Sequence, residues 1–186
     1  SKYFPNLKLN YAENCLLDRS DRPAIVSYTE QGVYSSYTYK TLYEAVSQCQ
    51  QALIAHGIQK GDRVAAVISN IPEAIIGMLA TASLGAIWSS CSPDFGLNGI
   101  LDRFTQIEPK ILFVVNGYYY NGNPILLDEK VAALKTNLTS VSTIIQIPLL
   151  SESVIPGFDC FSDWIGPYSP KEINFTRVGF NEPLYI

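Results

Sequence analysis

The stretch RVAAVISNIPEAIIGMLATASLGAIWSS, residues 63–90, decides the fold class. Residues 63–69 have an uninterrupted apolar centre, which is typical of a strand buried on both faces. Pro72 begins a segment that is apolar nearly all round, and this predicts a helix that is covered on more than one side. Residues 86–90 then read as a second, short strand. Apolar strands joined by a helix are typical of a parallel sheet.

The same alternation extends along the chain in both directions. We predict an α/β fold, with a largely parallel sheet flanked by helices on both faces and the opening hairpin as an antiparallel edge. The tail 156–183 is rich in Pro, Gly and aromatic residues and is expected to be irregular, whereas residues 184–186 resemble the start of a strand. The further predicted elements are strands at 24–28, 33–39, 110–115 and 143–147 and helices at 42–57, 97–107 and 131–138.

The amino-acid composition limits the kinds of molecule that this chain can bind. The chain has 186 residues, of which 47% are hydrophobic, so a sizeable core is available and wholesale disorder is excluded. A net charge of −4 without a basic run predicts no nucleic-acid partner. The sequence also predicts no membrane span and no secretory signal. Four scattered cysteines without a CxxC pair favour free thiols and a cytoplasmic location.

The motifs of several enzyme classes are missing from this sequence. No two glycines are spaced as GxG, which disfavours a nicotinamide dehydrogenase, and neither a GK phosphate loop nor a GxSxG elbow is present. His56 is the one imidazole and sits at a helix end, where it can face the helix dipole. The charged run Asp128-Glu129-Lys130 is interpreted as solvated surface. We therefore predict no catalytic residue and no metal ligand within this chain.

Several stretches together resemble one superfamily, the adenylate-forming acyl-CoA synthetases. Residues 37–93 are similar to the opening of these enzymes, and residues 4–14 resemble the lead-in of the acetyl- and acetoacetyl-CoA synthetase branch. Ser-Pro-Asp-Phe-Gly at 92–96 and Tyr-Tyr-Tyr-Asn-Gly at 118–122 narrow the resemblance to acetoacetyl-CoA synthetases. The matching motif residues are Thr38-Tyr39, Gly57, Gly61-Asp62, Asn70 to Glu73, Gly85-Ala86 and Ser89 to Pro93.

The resemblance implies an acid–thiol ligase. Such an enzyme activates acetoacetate with ATP to an acyl-adenylate and transfers the acyl group to CoA, with Mg²⁺ and cationic side chains neutralising phosphate charge. The family's ATP loop and catalytic lysine lie downstream, so we expect an inactive amino-terminal fragment that binds none of these cofactors tightly. Residues 1–22 would be a lead-in segment, and 23–186 an incomplete amino-terminal part of the AMP-binding (adenylation) domain that ends before the ATP-binding loop.

Alternatives to this function remain open at this point. The chain can belong to an acetyl- or other short-chain acyl-CoA synthetase, or it can be a non-catalytic module that binds CoA or a partner protein. The partners implied are acetoacetate and the remainder of the same polypeptide. We also expect self-association through apolar surface that the remainder would otherwise cover.

Two loops follow predicted strand ends, where ligands gather in open α/β sheets. By resemblance, the first loop lines the CoA nucleotide site; the alternative is a plain helix cap with Asp94 as the N-cap residue. In the second loop the family's phosphate-binding arginine and lysine are replaced by Tyr120 and Asn123, and the alternative is a tight Asn-Gly turn. The candidate cofactor-binding residues are Asp94, Phe95, Gly96, Tyr120, Asn121, Gly122 and Asn123.

Two further residues have structural interpretations. Arg103 is interpreted first as the partner of Asp102 in an ion pair, and second as a ligand contact. Trp88 is expected to pack under the sheet rather than to form an acyl pocket.

Overall fold

The computed structural model describes residues 4–150 and 154–186, so the first three residues of the predicted lead-in lie outside the described part. The chain forms six helices and eleven strands in these described ranges. In chain order they are β1 (Lys8–Leu9), α1 (Tyr11–Cys15), β2 (Pro23–Thr29), β3 (Gly32–Thr38), α2 (Tyr39–Ala55), β4 (Arg63–Val67), α3 (Pro72–Ser83), β5 (Ile87–Cys91), α4 (Leu97–Ile107), β6 (Ile111–Val115), β7 (Gly117–Tyr120), β8 (Asn123–Leu126), α5 (Asp128–Asn137), β9 (Thr143–Ile147), β10 (Asp159–Cys160), α6 (Phe161–Ile165) and β11 (Val178–Gly179).

A five-stranded sheet in the order β10-β9-β6-β4-β5 forms the centre of the molecule. Every neighbouring pair in it is parallel, which confirms the predicted sheet. The two central strands are buried almost completely, since β6 is buried at all five positions and β4 at its last four. Apolar runs without alternation therefore mark strands that are covered on both faces.

Helices cover the two faces of this sheet unequally. The first group consists of α1, α2, α3 and α6, in which α2 contacts both α3 and α6; the second group is the pair α4 and α5. Right-handed crossovers explain the division, because α3 leads towards one edge of the sheet whereas α4 and α5 lead towards the other. Helix α2 begins with a capping box, in which the side-chain oxygens of Thr38 and Thr41 each accept a hydrogen bond from the backbone N–H of the other. The predicted α/β architecture is confirmed.

The opening hairpin is not an edge of this sheet, and that prediction is wrong. Strands β2 and β3 pair only with each other and pack on α2 and α3. The physical reason is that residues 184–186 already occupy the free side of β5. The N–H of Trp88 donates to the Leu184 carbonyl at 3.2 Å, and the Ile186 N–H donates to the Trp88 carbonyl at 2.9 Å. The pairing is parallel, so the predicted start of a strand is confirmed.

The tail is more ordered than its composition predicts. Its short helix α6 buries Phe161 and Trp164 in the core, and β11 pairs with β1 near the start of the chain. Asn10 fixes this junction, because its buried amide donates to the carbonyls of Ala82 and Thr176, both at 2.8 Å. Within the described residues, no helix is long and apolar enough to cross a membrane.

Candidate functional site

The sheet has a switch point between β4 and β6. From β4 the chain moves to one side to form β5 and then returns past β4 to form β6. The connection after β4 therefore leaves towards one face of the sheet and the connection after β6 towards the other, which opens a crevice at the carboxyl ends of these strands. Both predicted ligand loops lie at this end of the sheet, one after β5 and one in the β7–β8 hairpin.

The first loop connects β5 with α4. Gly96 is the N-cap residue of α4, with φ −60° and ψ 147°, and the helix has no side-chain cap. The alternative with Asp94 as N-cap is therefore wrong. The Phe95 side chain is 37% exposed, so its ring is available at the surface. The side chains of Asp94 and Phe95 therefore take no part in capping the helix.

Lys130 holds the first loop in place, which sequence reasoning missed. Its ammonium donates to the carbonyl of Pro93 at 2.6 Å and to that of Phe95 at 2.8 Å. Burial lowers the pKa of Lys130, and the nearby carboxylate of Asp94 works against this shift. The prediction of a simply solvated charge is thus wrong for this lysine. The sequence gives little indication of this contact, because only the fold brings α5 beside the loop after β5.

Arg103 lies against the same loop. Its guanidinium carbon is 5.2 Å from the centroid of the Phe95 ring, a distance within the range of cation–π contacts. In the part of the chain that the structure describes, Arg103 forms no ion pair, so the first interpretation, a pair with Asp102, is wrong. The loop thus combines an aromatic ring at the surface with an adjacent cation.

The second loop is a tight hairpin turn. Asn121 and Gly122 have φ values of 50° and 76°, the left-handed pair that an Asn-Gly hairpin turn requires. Both of their N–H groups point to one carboxylate: Asn121 donates to Glu30 Oε1 at 3.0 Å, and Gly122 donates to Glu30 Oε2 at 2.7 Å. Glu30 comes from the turn of the β2–β3 hairpin. A carboxylate therefore lies where resemblance to the family leads one to expect cations.

A cavity of about 450 Å³ lies in the crevice, between the two hairpins. Neither residues 94–96 nor residues 120–123 line it, so the structure does not bring the two predicted loops together in this cavity. Sequence reasoning missed this site, because its walls come from four separate segments. The lining residues are Tyr28, Thr29, Glu30, Gln31, Val33, Tyr34, Ser69, Asn70, Ile71, Tyr118, Tyr119 and Leu149.

Glu73, at the start of α3, is a buried acid beneath the β2–β3 hairpin. Its Oε1 accepts a hydrogen bond from the Tyr34 hydroxyl at 3.3 Å, whereas its Oε2 is buried without a partner. Burial raises the pKa of Glu73, because desolvation disfavours the charged form. This carboxyl group lies next to the cavity wall through Tyr34, but it does not line the cavity itself.

The histidine and the cysteines have structural surroundings. His56 Nδ1 lies 2.9 Å from the Ala52 carbonyl, and Trp164 Nε1 donates to His56 Nε2 at 3.3 Å, so both ring nitrogens are engaged. All four cysteines are free. Burial raises the pKa of Cys91 to about 11, which keeps its thiol protonated near neutral pH. Among the described residues, no group of three or more His, Cys, Asp or Glu could hold a metal ion.

An open parallel sheet with loops gathered around a switch point defines the class of α/β proteins that bind small molecules at the carboxyl ends of their strands. Within this class, the chain belongs to the AMP-binding enzyme family, whose sequence profile matches residues 13–162.

Two relatives and one solved structure show which members of this family the chain is similar to. The chain is 44% identical to the acetoacetyl-coenzyme A synthetase of Rhizobium meliloti (strain 1021), over 100% of this chain and 29% of that protein. It is 41% identical to the malonamoyl-CoA synthetase vrtB of Penicillium aethiopicum, over 99% of this chain and 28% of that protein. The solved structure of acetoacetyl-CoA synthetase from Streptomyces lividans superposes with a TM-score of 0.93 at 36% identity, covering 99% of this chain and 29% of that one. The chain thus spans less than a third of the length of these relatives.

Proposed function

We propose that this chain is the amino-terminal part of an acid–thiol ligase that activates acetoacetate with ATP and transfers the acyl group to CoA. The observation that carries the proposal is the similarity to an acetoacetyl-coenzyme A synthetase, which extends over the whole chain at 44% identity. Within this proposal, residues 1–22 are a lead-in, and residues 23–186 belong to the adenylation domain.

The proposed chemistry needs more residues than this chain supplies. Adenylation converts a carboxylate into an acyl-adenylate with a good leaving group, and Mg²⁺ together with cations stabilises the phosphate charge of the transition state. The described residues offer no cluster for a metal ion. We therefore assign ATP and Mg²⁺ to the complete polypeptide and propose that the chain alone is inactive.

CoA is the cofactor that this chain's own residues fit. Phe95 offers an exposed ring on which a nucleotide base can stack, and Arg103 places a guanidinium beside that ring for a phosphate. Lys130 fixes the loop through two backbone carbonyls, so the ring is held ready for binding. At the second loop the amides of Asn121 and Gly122 point to a carboxylate, which makes this turn the weaker candidate for CoA phosphates.

The names of the relatives suggest two candidate acids. The acetoacetyl and malonamoyl groups named in the relatives are both short acyl chains with a second carbonyl group. Acetoacetate is our first choice because the identity to an acetoacetyl-coenzyme A synthetase is higher, 44% against 41%. Acetate or another short-chain acid is the next alternative.

The test is ATP–pyrophosphate exchange by the complete polypeptide with acetoacetate, malonamate or acetate, and with the 186-residue chain as the control. We expect exchange with acetoacetate in the complete polypeptide and none in the chain alone. Preference for malonamate or acetate would retain the ligase and change the acid. Silence with every acid, combined with saturable CoA binding, would replace the ligase with a binding module.

Location and assembly follow from the same proposal. Four free cysteines are compatible with a reducing cytoplasm, and we propose no nucleic-acid or membrane partner. Several large apolar side chains near the β5 edge are exposed, including Phe180 at 54% and Tyr185 at 67%. We therefore propose that the 186-residue chain self-associates, which sedimentation velocity at increasing concentration would detect.

A further inference from the structure

The cavity between the two hairpins has the position and size of a ligand site. It lies at the switch point of the sheet, where open α/β proteins bind ligands. Its volume of about 450 Å³ falls within the range of small-molecule pockets, about 300–1,000 Å³. This position is separate from the Phe95 loop, so the cavity is independent of the CoA contacts proposed above.

The walls of the cavity favour a flat ring. Four tyrosines line it, with Tyr28 and Tyr34 from the β2–β3 hairpin and Tyr118 and Tyr119 from β7. Aromatic side chains accept the face of a planar ring, and they do so for every nucleobase. Ser69, Asn70 and Gln31 add side chains that can donate and accept hydrogen bonds at the edge of such a ring.

Charge at the cavity disfavours an anionic ligand. Its described lining contains no lysine, arginine or histidine, and its one charged residue is Glu30. An anionic ligand would meet this carboxylate without a compensating cation, which is unfavourable in a partly desolvated site. A neutral group would not incur this penalty.

Glu30 also joins the two walls. Its two carboxylate oxygens accept the N–H groups of Asn121 and Gly122, at 3.0 and 2.7 Å, and so connect the tip of the β2–β3 hairpin to the tip of β7–β8. Hydrogen bonds to an ionised acceptor are stronger than neutral ones. The same carboxylate therefore holds the hairpins together and sets the negative charge of the cavity.

We infer that this cavity is a binding site for a neutral, planar heteroaromatic group of the nucleobase class, and that Glu30 excludes anionic ligands from it. The inference goes beyond the proposed ligase function, because the binding needs neither acid activation nor CoA.

The test measures binding of adenosine and of AMP by isothermal titration calorimetry to the 186-residue chain carrying Phe95→Leu and Arg103→Ala, because these two residues are the contacts proposed above for the base and phosphate of CoA. All further variants are made in this background. Adenosine carries the neutral base and sugar, and AMP adds the anion. Tyr119→Leu removes a cavity wall, whereas Tyr120→Leu changes the neighbouring residue of the same strand, which does not line the cavity. Glu30→Gln removes the charge and keeps one of the two acceptor oxygens for the turn. Urea unfolding of each variant verifies that it is folded.

We expect saturable adenosine binding that weakens about tenfold in Tyr119→Leu and stays within about twofold in Tyr120→Leu. We expect AMP to bind about tenfold more weakly than adenosine, and this gap to narrow in Glu30→Gln. The inference is overturned if adenosine shows no binding up to about 1 mM, if the two tyrosine variants lose affinity equally, or if AMP binds as tightly as adenosine to the chain that retains Glu30 and lacks the Phe95 and Arg103 contacts. Pyrophosphate exchange in the complete polypeptide is a separate readout, so failure here leaves the ligase proposal standing.

Discussion

Gly77 lies at the tightest contact between α3 and the sheet. A Cβ atom added there would lie 2.8 Å from Cη2 and 2.9 Å from Cζ3 of Trp88, closer than packed carbon atoms approach. The indole cannot move away freely, because Trp88 is 4% exposed and its ring centroid is 5.9 Å from that of Phe113. We therefore predict that Gly77→Ala destabilises the protein, although alanine is the better helix former.

The magnitude follows from two opposing effects. Replacing glycine by alanine within a helix contributes about 1 kcal/mol, whereas overpacking a filled core costs about 1–3 kcal/mol. The net change for Gly77→Ala is a loss of up to about 2 kcal/mol in the free energy of unfolding. Gly99 in α4 is the matched control, because its added Cβ would meet nothing within 4 Å. Gly99→Ala should therefore stabilise the protein by about 0.5–1 kcal/mol.

Urea unfolding of both variants, followed by far-ultraviolet circular dichroism and tryptophan fluorescence, measures these changes. Equal dependence of the unfolding free energy on urea concentration in all three proteins is needed for the comparison. A Gly77→Ala variant that is as stable as Gly99→Ala would refute the reasoning, because it would mean that the contact with Trp88 relaxes without cost.

Three further predictions concern charged side chains near the candidate site. Lys130→Met should accelerate amide hydrogen exchange in the loop after β5 about tenfold, because two charged hydrogen bonds are lost, whereas Lys135→Met, on the same helix, should not. Burial raises the pKa of Glu73 in the folded protein above its value in the unfolded chain, about 4.3. The contribution of the protonated carboxyl group to the free energy of unfolding is therefore fully present below that pH. It is lost as the pH rises through the pKa of the folded state. The stability of Glu73→Gln relative to wild type should therefore increase from pH 4 to 8 in thermal unfolding; a constant difference would contradict this. Arg103→Ala should weaken CoA binding by the complete polypeptide about tenfold, with partial recovery in Arg103→Lys, and an unchanged Kd would remove Arg103 from the proposed site.

The centre of the fold was predictable from residues 63–90 because burial there is recorded in local composition. Strand β4 and helix α3 are apolar nearly all round, and the structure buries the last four positions of β4 and most positions of α3, with Glu73, Ala74, Ile75 and Met78 half-buried. Trp88 packs beneath α3 against Phe113, as expected. Where a segment is covered by other parts of the protein on nearly all sides, its own apolar composition predicts that burial.

The periphery was less predictable because its partners are distant in sequence. The opening hairpin reads as a pair of strands from its own residues, but its position depends on the edge of β5, which residues 184–186 occupy. The order in the tail likewise depends on α6, whose Phe161 and Trp164 fill a gap beside α2 and β9. Local pattern identifies an element, whereas competition among elements decides where it pairs.

At the candidate site, likewise, the sequence predicts the positions of the loops but not the charges that distant residues place beside them. Sequence reasoning selected both loops by their positions after strand ends, and it noted that Tyr120 and Asn123 stand where the family has cations. It could not find the charges that now matter, because Glu30 is 91 residues from Asn121 and Lys130 is 35 residues from Phe95. Glu30 places a carboxylate on the hairpin turn, whereas at the Phe95 loop the two cations Arg103 and Lys130 outnumber the carboxylate of Asp94. The charges along this edge of the sheet therefore favour an anionic group at Phe95 over one at the hairpins. The two loops that the sequence offers as candidates are therefore not equivalent, and long-range contacts add to the difference that the loop residues themselves indicate.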